Sequence, residues 1–348
     1  MIDFDGLSGQ AIVKDKLARF MRFGAPGHAH LFAGAEGMGK RAFAQVFAKA
    51  LLCVGAPFVS NAFADSEAAR LPCGNCLPCK LFHTGASGDF LFIEPTGQGQ
   101  RPAISVEAAR QITGWLAIRP LYSRRKVCLI AQADHMTEQA QNALLKTLEE
   151  PPAYGILILT AANPGMLLDT VRSRCGATFF AGYTDNEVEY ILKNSPAPPH
   201  DSIIALVSRL AGGNPGYAFE LASSDTFLST RDELIGLFCG YLDGDPTAPF
   251  LLSSFLDRNK DRYLQFVGIL IHFLRDIWLY SLPGGEKEIA NRDMGQKLKR
   301  YGERFRQSSL MECIECMDDS YSQVSANANF TLTVNAMLIN IKALLNAA

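Results

Sequence analysis

A glycine-rich loop near the N-terminus has almost the composition of a phosphate-binding loop. The stretch GAEGMGKR fits the pattern G-x-x-x-x-G-K-[ST] at Gly34, Gly39 and Lys40, but Arg41 stands where the pattern requires Ser or Thr. In such loops the backbone N–H groups converge on phosphate, and the lysine neutralises the terminal phosphates. The sequence therefore predicts a degenerate phosphate-binding loop at Gly34, Gly39 and Lys40. It leaves open whether this chain binds ATP there.

Hydrolysis of a nucleotide also requires a magnesium ion, and the residues that would support this ion are missing. The hydroxyl after the loop lysine ligates magnesium, whereas the guanidinium of Arg41 cannot ligate a cation. A hydrolytic site also has Asp-Glu at the end of a neighbouring strand, but VCLIAQADHM has Ala131 and Gln132 there, and Asp134 follows on the next loop. These two losses argue against ATP hydrolysis by this chain.

Four cysteines form a second candidate site. Cys73, Cys76 and Cys79 are spaced by two residues in CGNCLPC, and Cys53 lies upstream at the end of a helical pattern. Four thiolates suit a closed, tetrahedral site for structural Zn²⁺. The alternative is an iron–sulfur cluster, whose C-x2-C-x2-C-x3-C run would need a cysteine where His83 stands. The spacing favours zinc.

The elements that position these residues alternate between strands and helices over residues 1–180, as in a parallel sheet covered by helices. HAHLFAG predicts the strand that enters the glycine loop, and KRAFAQVFAKALLC the helix that leaves it. DFLFIEP, KVCLIAQA, GILILT and ATFF predict further strands. Thr137 predicts the N-cap of one helix, and Asn163 the cap of another that runs to Arg172. The expected fold is an α/β domain with the cysteine module (53–79) inserted.

Beyond residue 181 the sequence predicts helices without further strong strands. The helical segments are separated by breaks such as NSPAPPHD, AGGNPG and LDGDPTAP. The breaks at 223–225 and 244–247 indicate a small helical domain followed by a larger one. We therefore assign residues 181–225 to the first and residues 226–348 to the second.

Composition excludes several classes of protein. The chain has 348 residues, of which 48% are hydrophobic and 20% charged, as in ordinary globular proteins. Because the net charge is only −2, a DNA contact would need partners or a local patch such as 124–126 (RRK). The apolar run from Phe266 to Leu274 is too short for a membrane span and predicts a buried helix. Nine cysteines and an N-terminus without a secretory signal predict a location in the reducing cytoplasm.

Five motifs resemble, in this order, those of bacterial clamp-loader subunits of the AAA+ class. They are FDGLSGQ, HAHLFAGAEGMGK, the three-cysteine module, NALLKTLEEPP and SRC. The resemblance covers about the first 220 residues, and the C-terminal part is similar mainly in its helical character. It implies an αβα AAA+ domain, a helical lid (181–225) and an all-α collar domain (226–348) that joins subunits into a ring.

The family contains ATPase motors of the gamma/tau type and a branch that generally does not hydrolyse ATP. Motors place a polar sensor after the fourth strand, where this chain has Ala161 and Ala162, although Thr160 and Asn163 lie close by. Motors also carry an arginine beside a later glycine turn, where GGNPGYAFEL offers Tyr217. Together with the missing magnesium-supporting residues, these departures make the chain similar to the non-hydrolysing branch.

The loop RSRC contains the residue that the resemblance makes most informative. By residue type alone, Arg174 fits a solvated surface charge as well as a functional group. The resemblance implies that Arg174 is an arginine finger acting in trans, in the ATP site of a neighbouring motor subunit, where its charge stabilises the transferring phosphoryl group. Ser173 and Cys175 would then shape the loop, and Arg172 would be a surface or interface charge.

The resemblance implies a stator-like subunit that helps to load the sliding clamp onto primed DNA during DNA replication. The implied partners are gamma/tau-type ATPase subunits and the clamp-opening delta subunit in a hetero-oligomeric ring. The sliding clamp and primer–template DNA are implied partners through the complex, and no membrane is expected.

Two rival functions are compatible with parts of the sequence. An active AAA+ motor of the gamma/tau type, with an atypical metal shell, would turn over ATP alone and would need Lys40. A zinc-dependent nucleic-acid-binding protein would need no ring partners, although the near-neutral charge of the chain disfavours it.

Overall fold

The computed structural model describes residues 4, 7–22, 27–55, 72–97 and 102–346, and all statements below concern these residues. The strands are β1 (Ala29–Ala33), β2 (Phe90–Ile93), β3 (Lys126–Ile130), β4 (Gly155–Ala161) and β5 (Gly176–Phe179). The helices are α1 (Ala11–Arg22), α2 (Lys40–Leu52), α3 (Leu77–His83), α4 (Val106–Leu116), α5 (Glu138–Glu149), α6 (Asp169–Arg172), α7 (Asp185–Lys193), α8 (Asp201–Leu210), α9 (Pro215–Ala222), α10 (Phe227–Leu242), α11 (Ala248–Arg258), α12 (Tyr263–Tyr280), α13 (Gly295–Arg304), α14 (Gln307–Ser325) and α15 (Phe330–Asn346).

The five strands of the described chain form one parallel sheet in the order β2-β3-β4-β1-β5. Every residue of β1, β3 and β4 is buried, as expected for central strands of a parallel sheet. Because all strands run in the same direction, their carboxyl ends lie at one edge of the sheet. The loops that follow β1, β3 and β4 therefore meet at this edge.

Helices cover both faces of the sheet. Successive strand residues point to opposite faces, so the alternation within the strands produces two separate cores. One core packs Phe32, Val127 and Ile158 against α1 and α2. The other packs Leu31, Ile130 and other strand residues against α4 and α5. The αβα layering predicted for residues 1–180 is confirmed.

The chain divides into two compact units. The first comprises Met1–Asn194 with Gly213–Gly216 and contains the sheet, and the second comprises Ser195–Gly212 with Tyr217–Ala348 and is helical in its regular elements. Helix α12 lies in the core of the second unit, which confirms the buried helix predicted at 266–274. None of the described helices is both long and apolar enough to cross a membrane. The finer division at residues 180 and 225 stays a prediction.

One predicted helix is wrong in its length. Asn163 caps only a 3-10 turn (Pro164–Met166), its side chain accepting a hydrogen bond from the Gly165 N–H (3.0 Å). The next two residues, 167–168, are not helical, and α6 begins at Asp169. The physical reason is tertiary, because Leu167 is buried in the core beside α5 and the side chain of Gln141 accepts the N–H of Leu168 (2.7 Å).

Candidate nucleotide-loop, metal and arginine sites

The glycine loop connects β1 to α2, as the sequence predicts. The Nζ of Lys40 donates hydrogen bonds to the carbonyl oxygens of Gly34 (2.5 Å) and Ala35 (2.6 Å). Burial lowers the pKa of Lys40, and the nearby carboxylates of Asp134 and Glu36 oppose this effect. The ammonium group is therefore held by carbonyls of its own loop.

The other carbonyls of the loop also have donors within the first unit. Helix α2 begins after its N-cap residue Gly39, whose carbonyl accepts the Phe43 N–H (3.1 Å). The three preceding carbonyls accept hydrogen bonds from residues distant in sequence. Asn214 Nδ2 donates to the Glu36 carbonyl (2.8 Å), and the Gly216 N–H donates to the Gly37 carbonyl (3.1 Å). The Tyr183 hydroxyl donates to the Met38 carbonyl (3.3 Å). Gly37 has a φ of +81°, and a Cβ at this position would lie 2.2 Å from Asn214 Oδ1. The sequence alone did not predict these contacts with the glycine loop, although the glycines of the turn GGNPG are typical of a close approach between two backbone segments.

Arg41 points to the end of β2. Its Nη1 lies 3.1 Å from Glu94 Oε2, and its guanidinium lies 4.5 Å from the centroid of the Phe92 ring. Both charged side chains are about half exposed, so the pair adds little stability. The residue that replaces the magnesium-binding hydroxyl is thus bound to a carboxylate and offers no ligand oxygen.

The ends of β3 and β4 are joined by polar contacts in place of a carboxylate pair. The N–H of Gln132 donates to the buried hydroxyl of Thr160 (3.0 Å). Asp134 Oδ2 accepts the N–H groups of residues 162–163 at 3.0 and 2.8 Å. Thr160 and Asp134 therefore hold the two strand ends together, and Ala131 and Gln132 occupy the position expected for Asp-Glu.

The structure brings all four predicted cysteines into one cluster. The Sγ atoms of Cys53, Cys73, Cys76 and Cys79 all lie within 4.8 Å of one another. Cys53 Sγ and Cys76 Sγ are 3.8 Å apart, which is about the edge of a tetrahedron with metal–sulfur bonds of about 2.3 Å. Cys53 follows α2, and Cys76 precedes α3. A bound metal would therefore tie the end of α2 to the start of α3. Residues 56–71 of the predicted insertion lie outside the described residues.

Backbone N–H groups favour the thiolate form of one ligand. Burial alone would raise the pKa of the Cys73 thiol, but hydrogen bonds from the backbone of Cys76 and residue 75 and from neighbouring thiols lower it to about 6. Burial raises the pKa of the Cys53 and Cys79 thiols. Because metals bind thiolates, these hydrogen bonds to Cys73 favour the form of the thiol that a metal would need.

Arg174 lies just after α6 and is held by two contacts of its own chain. Its Nη2 donates to Glu149 Oε1 at 2.7 Å, and its Nη1 donates to the Thr170 carbonyl at 2.8 Å. The side chain of Arg174 is 34% exposed and that of Glu149 is 49% exposed. The guanidinium is therefore fixed in direction while a third of the side chain faces solvent. The sequence alone did not single out Glu149 as the partner of Arg174, although it belongs to the motif NALLKTLEEPP.

The residues next to Arg174 make contacts of different kinds. Arg172 forms an ion pair with Asp169 and is exposed. The Ser173 hydroxyl donates to the Thr170 carbonyl (3.3 Å). Burial raises the pKa of the Cys175 thiol to about 11, so this cysteine is a neutral packing residue at physiological pH.

The RRK segment at 124–126 does not form an exposed basic patch. Lys126 is buried in β3, where its Nζ donates to the Trp115 carbonyl (2.7 Å) and lies 4.2 Å from the centroid of the Trp115 ring. Arg125 is half-buried, and only Arg124 of the three is exposed. The segment therefore presents one exposed arginine rather than a basic surface.

The sheet order, with a glycine loop after β1 at the carboxyl edge and helices on both faces, defines an AAA+ P-loop domain followed by helices. Residues 9–183, half of the chain, match the family described as "DNA polymerase III, delta subunit". The chain belongs to this family.

Individual relatives agree with the family match. The chain is 28% identical over 326 residues to DNA polymerase III subunit delta' of Bacillus subtilis (strain 168), covering 92% of this chain and 89% of the relative. It is 30% identical over 284 residues to DNA polymerase III subunit delta' of Escherichia coli (strain K12), covering 80% of each. DNA polymerase III subunit tau of Salmonella typhimurium is 30% identical over 274 residues, which cover 76% of this chain and 40% of the relative.

Proposed function

We propose that this chain is a non-hydrolysing subunit of a bacterial DNA polymerase III clamp loader, of the delta-prime type. In this role it supplies Arg174 to the ATP site of a neighbouring ATPase subunit and helps to load the sliding clamp onto primed DNA. The proposed ring partners are ATPase subunits of the gamma/tau type and the clamp-opening delta subunit. The clamp and primer–template DNA are proposed partners through the complex.

One contrast carries the proposal: the motif SRC is intact, whereas the chain's own magnesium support is absent. Arg41, Ala131 and Gln132 replace residues that a hydrolytic site needs. Arg174, by comparison, is partly exposed and fixed in direction by Glu149 and a carbonyl. A partly exposed, oriented guanidinium suits an acceptor on another subunit.

Substitution of Arg174 tests this function. In a complex reconstituted with gamma/tau-type and delta subunits, Arg174→Ala should lower DNA-stimulated ATP hydrolysis while assembly, measured by size-exclusion chromatography, is unchanged. An arginine finger contributes about a thousandfold or more to turnover at its site, so the site that Arg174 serves should become silent. Arg172→Ala is the matched control and should retain full hydrolysis. Unchanged hydrolysis by the Arg174→Ala complex would contradict the proposal.

We also propose that the cysteine cluster holds a structural Zn²⁺ ion. Four thiol ligands, Sγ distances compatible with a tetrahedron and N–H donors to the sulfurs support this assignment. In the alternative iron–sulfur run, position 83 would supply a ligand, and His83 is exposed at the end of α3 outside the cluster. A site with four protein ligands has no open position, so its contribution is to stability rather than to chemistry.

A second candidate function is an ATPase motor of the gamma/tau type. The 30% identity to the tau subunit of Salmonella typhimurium and the retained Lys40 favour it. The two candidates differ in one measurable property, which is magnesium-dependent ATP turnover by the isolated chain.

A further inference from the structure

We propose that Glu149 is a positioning residue for Arg174, an inference that rests on the proposed function of Arg174. Glu149 is the last residue of α5, and its Oε1 accepts a hydrogen bond from Arg174 Nη2 (2.7 Å). The Thr170 carbonyl accepts from the opposite terminal nitrogen, Nη1, at 2.8 Å. Two acceptors, one for each terminal nitrogen, restrain both the position of the guanidinium and the rotation of its plane.

This arrangement leaves donors for a phosphate group. A guanidinium has five N–H donors, and the contacts with Glu149 and Thr170 require one from each terminal nitrogen. Within the described residues, the three other N–H groups, including that of Nε, have no hydrogen-bond acceptor in the chain. Arg174 therefore need not leave Glu149 in order to bind a phosphoryl oxygen.

Helix α5 is also anchored to the segment that leads to Arg174. The side chain of Gln141, which is buried, donates to the Met166 carbonyl (3.2 Å) and accepts the Leu168 N–H (2.7 Å). Glu149 makes the second connection, two helical turns further along the same helix. Because both ends of the segment are tied to one helix, Glu149 places the guanidinium relative to a rigid element rather than to a free loop.

The contact is specific to one of two adjacent glutamates. Glu150, the C-cap of α5, is exposed and forms no ion pair with any residue in the described ranges. A general effect of removing one negative charge from the end of α5 should appear with either glutamate, whereas a positioning role belongs to Glu149 alone. The chain thus supplies its own matched control.

The test is a comparison of substitutions in the reconstituted complex, with ATP hydrolysis measured as a function of ATP concentration in the presence of primed DNA. Glu149→Ala should lower kcat by about two- to fivefold, the range for losing an exposed ion pair, with KM for ATP and assembly unchanged. Glu149→Gln keeps an acceptor oxygen and should restore most of the loss. Glu150→Ala should behave as the unsubstituted chain does.

The outcomes separate this inference from the proposed function. If Arg174→Ala lowers hydrolysis while Glu149→Ala does not, the positioning role is wrong and the function of Arg174 stands. A higher kcat for Glu149→Ala would also overturn the inference, since Glu149 would then restrain the arginine rather than position it. If Arg174→Ala has no effect, the proposed function itself fails.

Discussion

Gly55 illustrates how a residue without a side chain can control the geometry of a candidate metal site. A Cβ at this position would lie 2.3 Å from Cys73 Sγ and 3.0 Å from Cys73 Cβ, which is far inside contact distance. The chain after Cys53 can approach the sulfur of Cys73 only because position 55 has no side chain. The four cysteines therefore depend on a fifth residue that offers no ligand.

We expect Gly55→Ala to lower the zinc content of the purified chain by more than about half, since displaced ligands bind metal poorly. The midpoint of thermal unfolding should fall as well, as it should when a chelator removes zinc from the unsubstituted chain. Elemental analysis and a thermal scan measure both effects. Gly114→Ala, in helix α4 with open space around it, is the control and should keep its zinc. Full zinc content in Gly55→Ala would refute the packing argument.

At the scale of elements, a buried polar network joins helices of the second unit. Arg231 of α10 is 1% exposed, and its guanidinium binds Asn291 Oδ1 (2.8 Å) and both carboxylate oxygens of Asp293. Asp276 of α12 accepts the N–H of Ala290 and two donors of Asn291. The segment from Ala290 to Asp293 is thereby fixed between two helices by hydrogen bonds and by the ion pair of Arg231 with Asp293.

Asp276→Asn should destabilise this unit by roughly 2 kcal/mol, because one of the two acceptor oxygens becomes a donor that faces N–H groups. The effect should appear as a lower free energy of unfolding in urea, followed by circular dichroism. Burial raises the pKa of Asp276, and the three donors oppose this shift. Asp318→Asn, an exposed change on α14, should leave stability unaltered. Equal stability of the two variants would contradict the structural role of the network.

At the scale of the whole molecule, the proposed chemistry belongs to an assembly rather than to one chain. We expect the isolated chain to hydrolyse no ATP above the buffer rate with magnesium present, and Lys40→Ala to change nothing. A complex with gamma/tau-type subunits, assayed in parallel, should hydrolyse ATP. Turnover by the isolated chain that disappears in Lys40→Ala would favour the motor candidate instead.

Much of the first unit could be predicted because its signals are local. Three kinds of feature depend only on residues close to them in sequence. They are the apolar runs of β1, β3 and β4, the N-cap at Thr137 and the spacing of the cysteines. The helix predicted from Asn163 was too long because its interruption comes from Gln141, more than twenty residues away in sequence. A local pattern cannot contain that information.

The same limit applies to the candidate sites. Motifs in the sequence identified Arg174 and Lys40 as candidate site residues. They did not identify Glu149, which contacts Arg174, or Asn214, which contacts the glycine loop of Lys40. Both partners lie far from these sites along the chain and are ordinary polar residues by type. Only the fold brings them together.

The position of α5 has a consequence for timing. This helix begins shortly after the strand end where the carboxylates are missing, and it finishes at Glu149, beside the arginine. In a subunit that hydrolyses its own nucleotide, ATP binding and hydrolysis at that strand end would recur in every cycle and could move α5. In the proposed subunit no such cycle exists. The neighbouring subunit would therefore find the Arg174 guanidinium in the same place at each turnover. The rate and order of ATP hydrolysis in the ring would then be set entirely by the other subunits.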